Sequence, residues 1–97
     1  VIVRILGEGQ YDLEGEALHE LKVADARLFE AVAAADEAAY RARFQEVLSL
    51  VRGKGRRVPI DRLVESDLIL PPAETTLQEA RQLFGDEGPG DGGKAGA

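Results

Sequence analysis

The residues that could do chemistry are few, and their spacing fails the known arrangements one after another. His19-Glu20 opens like a zinc-protease helix, in which two histidines four positions apart share one face, but the second position is Val23. With one histidine and no cysteine, a zinc site would need carboxylates gathered from scattered positions, and disulfides and thiolate catalysis are excluded. Gly7-Glu8-Gly9 begins like a dinucleotide-binding turn, yet the third required glycine is replaced by Asp12, whose carboxylate would repel a pyrophosphate. Gly53-Lys54-Gly55 lacks both the spacing and the following hydroxyl residue of a phosphate-binding loop. Ser49 falls inside a helical pattern, and Ser66 beside Asp67 reads as a turn or cap residue, so no nucleophile is prepared. Paired acids such as Asp36-Glu37 are what solvated helix starts contain. The sequence therefore predicts a non-enzyme with no catalytic residue, metal site or cofactor.

The densest positive cluster is Arg52-Gly53-Lys54-Gly55-Arg56-Arg57. Arg52, Lys54, Arg56 and Arg57 are candidate anion contacts, a regulatory role that would extend to nucleic acid or anionic lipid. The same cations suit a helix C-terminus, where free carbonyls and the dipole favour positive charge. The whole chain carries a net charge of −6, so nucleic acid is not an expected partner. A 97-residue chain fits one modest core, and no apolar run approaches the roughly 20 residues that cross a bilayer. A cytoplasmic location is the expectation.

The elements that must position these residues follow from periodicity. Val1 to Leu6 is β-branched and apolar except at Arg4, which predicts a covered strand. Gly7-Glu8-Gly9 supplies a turn, and Gln10 to Leu13 alternates polar and apolar as a returning strand. Ala17, Leu18, Leu21, Ala24, Leu28, Val32 and Ala35 recur at spacings of three and four, predicting one long helix over about 14–35. Asp36 is a good N-cap for a second helix with Tyr40, Phe44, Val47, Leu48 and Val51 on its apolar face. Glu37 and Arg41 form an exposed pair on it, and Gly53 and Gly55 offer a left-handed stop. So short a connection at Asp36 makes the two helices antiparallel.

Pro59, Pro71 and Pro72 forbid helix beyond this point, leaving a single turn at 60–64 and then the extended run Ser66-Asp67-Leu68-Ile69-Leu70. Thr75 and Thr76 each precede an acid or amide by three, a capping box for a last short helix bearing Leu77, Ala80 and Phe84 and stopped by Gly85. The fold class is α+β: an N-terminal hairpin or strand, a long antiparallel helix pair, an irregular apolar segment and a short C-terminal helix. Residues 1–85 form one domain, and the glycine-rich stretch 86–97 is expected to be a disordered tail.

Several of these segments carry a family likeness. Val1-Ile2-Val3-Arg4-Ile5-Leu6-Gly7-Glu8-Gly9-Gln10-Tyr11, the later Ser66-Asp67-Leu68-Ile69-Leu70-Pro71 and Thr76-Leu77-Gln78-Glu79-Ala80 are the most specific. With them the chain resembles the PspA-associated family, small proteins connected with phage-shock protein A, over about residues 1–88. After Gly88 an apolar finish is replaced by Pro89-Gly90-Asp91. The resemblance implies a non-catalytic accessory of the phage-shock response that binds a PspA-like coiled-coil protein and meets the membrane only through that partner. A homo-oligomer stays open. The candidate partner-binding residues are Gly7, Gly9, Gln10 and Tyr11 of the turn with Ser66, Asp67 and Leu68, loop positions of unusual side-chain specification.

Overall fold

The structure is a computed structural model and describes residues 1–62 and 64–87. Strand β1 (Ile2–Ile5) turns back into β2 (Gly9–Asp12), followed by helices α1 (Gly15–Ala33) and α2 (Glu37–Lys54), strand β3 (Arg56–Arg57), strand β4 (Leu68–Leu70) and helix α3 (Leu77–Glu87). The four strands form a mixed sheet in the order β3-β2-β1-β4. The hairpin pairs Val3 with Tyr11 and Ile5 with Gly9, while β4 lies parallel to β1 with Val3 opposite Leu68. This is the α+β architecture that the periodicities predict.

The register decides which face is which. Val3, Ile5, Tyr11, Leu13 and Leu70 point inward and are buried, and the helices cover them. From α1 come Leu21, Ala24, Leu28, Ala31 and Val32; from α2 come Tyr40, Phe44, Val47, Leu48 and Val51. Each large member of this set contributes about 1.5–3 kcal/mol by leaving water. Leu77 and Ala80 of α3 close the end of the core, and the Tyr40 hydroxyl donates to the Thr75 carbonyl at 2.6 Å.

The two long helices are joined by a tight stop. Asp36 N–H donates to the Ala31 carbonyl at 3.2 Å and Ala35 N–H to that of Val32 at 3.0 Å, the paired bonds of a Schellman ending. Ala35 therefore lies outside the buried stripe, at φ 56°, and Ala31 takes its expected place. Asp36 then caps α2, accepting from Ala39 N–H at 3.1 Å. Glu37 and Arg41 pair at 3.0 Å.

Three expectations are corrected. Gly53 is within α2, and Gly55 is extended at φ −80° instead of left-handed. Its lack of a side chain serves a close approach, since a Cβ there would stand 2.5 Å from the Val51 carbonyl oxygen and 2.9 Å from both Leu13 Cδ1 and Tyr11 Cβ. That contact lets the chain leave α2 directly into β3, a strand the sequence does not announce. Gly85 does not stop α3, which continues to Glu87. The expected capping box forms at Thr76: Glu79 N–H donates to its hydroxyl at 3.2 Å, and Thr76 N–H to the Glu79 carboxylate at 2.9 Å. The greater part of the expected tail, 88–97, lies outside the described residues.

After β3, Val64 and Ser66 lie on the sheet face opposite the helices, both held by the Gln10 side chain. Val58 N–H donates to the Gln10 carbonyl at 2.9 Å, and a turn closes where Arg62 N–H reaches the Pro59 carbonyl at 3.0 Å. Ile60, at its tip, is fully exposed.

Candidate functional site

The hairpin turn places an acid where the end of α2 can meet it. Gly7, at φ 82°, supplies the left-handed residue of the turn, and Glu8 N–H closes it on the Ile5 carbonyl at 2.9 Å. The Glu8 carboxylate accepts from Arg52 Nε at 2.9 Å, Arg52 Nη2 at 2.7 Å and the Tyr11 hydroxyl at 2.8 Å. These bonds to the charged form, those of Arg52 foremost, lower its pKa from 4.5 to about 2. Burial, with the hydrogen bond to Glu8 behind it, raises that of Tyr11. At neutral pH Glu8 is thus a fixed carboxylate that fastens the turn to the helix and has no proton to give.

Arg57 reaches in from the β3 edge. Its guanidinium carbon lies 5.5 Å from the centre of the Tyr11 ring, and Nη2 donates to the Glu8 carbonyl at 3.1 Å. Gly9 makes room for it: a Cβ there would stand 2.9 Å from Arg57 Nη2. On the outer face Gln10 is buried, donating from Nε2 to the Val64 carbonyl at 3.1 Å and to the Ser66 hydroxyl at 2.9 Å. Arg4, opposite Gln10 in the register, donates from Nε to the same hydroxyl at 3.3 Å.

The structure divides the candidate residues accordingly. Gly7, Gly9, Gln10 and Arg57, drawn from two separate sets, line one shallow depression of about 280 Å³ together with Arg4, Val58, Pro59 and Ile60. Tyr11 faces inward and supports Arg57. Ser66 and Asp67 anchor the segment leading into β4, the Asp67 carboxylate accepting from Ile2 N–H at 2.8 Å, and Leu68 is half-buried against the core. Arg52 is held by Glu8, and Lys54 pairs with Glu20 at 2.8 Å; Arg56 is exposed at the sheet edge. Sequence reasoning missed Arg4 as a site residue, although a lone cation within an apolar strand was its signal. It also missed Glu8, whose partner is far away in the chain, and Ile60. Among the described residues no group of three or more His, Asp or Glu is gathered to hold a metal.

A comparison with protein-family models matches the description PspA-Associated protein over residues 1–92. The chain belongs to the PspA-associated family. No curated protein and no solved structure matches it. Within the family match fall both the hairpin with its depression and the segment after β3 that walls it. No helix among the described residues is long and apolar enough to cross a membrane.

Proposed function

We propose that this chain is a non-catalytic accessory of the phage-shock response to envelope stress, acting by binding a PspA-like membrane-remodelling protein. The observation that carries the reading is the family match over residues 1–92. The hairpin agrees with it: the Glu8 carboxylate, Tyr11 hydroxyl, Gln10 amide and Ser66 hydroxyl are all engaged in holding the fold. In this reading the protein works in the cytoplasm and reaches the inner face of the membrane through its partner. The turn at Gly7 to Tyr11 and the segment beginning at Ser66 form the partner surface. An anion or nucleic-acid role for residues 52–57 has less support, because Arg52 and Lys54 already serve carboxylates of the same chain. The test is titration calorimetry of the whole chain against the phage-shock protein A of its own genome. A complex at micromolar concentration supports the proposal, and absence of heat and of co-elution at that concentration defeats it.

A further inference from the structure

The depression at the hairpin end of the sheet brings two arginines beside exposed apolar surface. Arg4 uses Nε on Ser66, and Arg57 uses one Nη2 contact on the Glu8 carbonyl, so each guanidinium keeps further N–H donors. Glu8, the acid that lines the depression with them, is occupied by Arg52 and Tyr11. Beside the two arginines stands Ile60, fully exposed on a turn whose flanks are fixed by the Val58–Gln10 and Gln10–Val64 hydrogen bonds. Two arginines lining one shallow depression suit a carboxylate, which guanidinium groups bind through paired N–H donors. An isoleucine presented beside them suits an apolar side chain next to that acid.

Resting on the reading that the chain binds a PspA-like protein, the geometry points to the segment of that partner which enters this depression. It is an acidic segment whose carboxylate is taken by Arg4 and Arg57 and whose adjacent apolar residue covers Ile60. Charge supports this occupant: the chain as a whole is at −6, yet the depression is lined by two arginines that keep further N–H donors and by one acid already paired with Arg52. Gly9 is the positioning residue, since any side chain there displaces the Arg57 guanidinium.

The experiment measures affinity for the full-length partner with the unmodified chain and with Arg4→Gln, Arg57→Gln, the double variant Arg4→Gln/Arg57→Gln, Ile60→Ser and Arg56→Gln, each checked for an unchanged melting profile. Arg4→Gln and Arg57→Gln should each weaken binding about tenfold, as for hydrogen-bonded charge pairs at interfaces. Ile60→Ser should weaken it less, and Arg56→Gln, outside the depression, should leave it unchanged. Arg4→Lys, which keeps the charge and loses the fork, should recover part of the loss, and added salt should weaken the unmodified chain more than Arg4→Gln/Arg57→Gln. If the unmodified chain binds and Arg4→Gln and Arg57→Gln bind equally well, this site is overturned while the accessory role stands. If the unmodified chain does not bind, the accessory role itself fails.

Discussion

Replacing Glu8 by Gln tests the link that fastens the hairpin turn to the end of α2. The carboxylate accepts both N–H groups of one face of Arg52, at 2.9 and 2.7 Å, and a third bond from Tyr11 at 2.8 Å. A bond to a charged group contributes about 1.5–3 kcal/mol when well shielded, and an exposed ion pair only about 0.2–1 kcal/mol. Here the side chains are 26% and 41% exposed for Glu8 and Arg52, so the expected loss lies between these limits, at about 1 kcal/mol. For a domain of this size that lowers the melting temperature by roughly 4–8 °C.

The pH dependence carries a sign. Glu8 has its folded pKa lowered to about 2 from 4.5, so its contribution is complete above the unfolded value and is lost as pH falls from 4.5 towards 2. Denaturant melts of the unmodified chain, Glu8→Gln, Arg52→Gln and the double variant, repeated across that window, give the coupling directly. A coupling energy near zero at neutral pH, or an acid limb equally steep with and without the Glu8 carboxylate, would refute the reasoning.

The remaining expectations concern backbone fit and a misplaced charge. Ala35 adopts a left-handed conformation at φ 56°, so Ala35→Gly should stabilise the chain by about 1 kcal/mol, read as a higher urea midpoint at unchanged slope. Gly55→Ala should cost about 1–3 kcal/mol, because the new methyl meets the Val51 carbonyl, Leu13 and Tyr11; thermal melting shows it, and an unchanged midpoint would mean that α2 and β2 are not so closely apposed. Asp25 lies between Leu21 and Leu28 on the α1 stripe, and burial raises its pKa above 3.8. Its ionised form is therefore penalised in the folded state, so Asp25→Asn should be the more stable protein at neutral pH. That advantage should shrink as pH falls and Asp25 itself becomes protonated, which melts at stepped pH would record.

Fold legibility followed interaction range. The helix pair could be read because Leu21, Leu28, Val32, Phe44 and Val51 repeat at helical spacing and Asp36 caps from within its own neighbourhood, both local properties. The capping box at Thr76 and the returning hairpin strand were legible for the same reason. Strand β3 was not, since Arg56 and Arg57 carry no apolar alternation and are extended only because β2 lies beside them. The end of α2 was misjudged for a related reason: Gly55 answers to a close contact across the core, a demand no local sequence pattern records.

The sequence by itself determined a small acidic α+β body, its family, and the want of any spacing suited to bond-making chemistry. Only the tertiary structure decided that Arg4, Gly9, Arg57 and Ile60 share one depression, and that Arg52 and Lys54 are spent on Glu8 and Glu20. The physical reason is register. Pairing Arg4 with Gln10 on the outer face, and Arg57 with the inward-facing Tyr11 at the sheet edge, brings together residues from distant parts of the chain, and that register is fixed by the burial of Val3, Ile5 and Tyr11 against the helices.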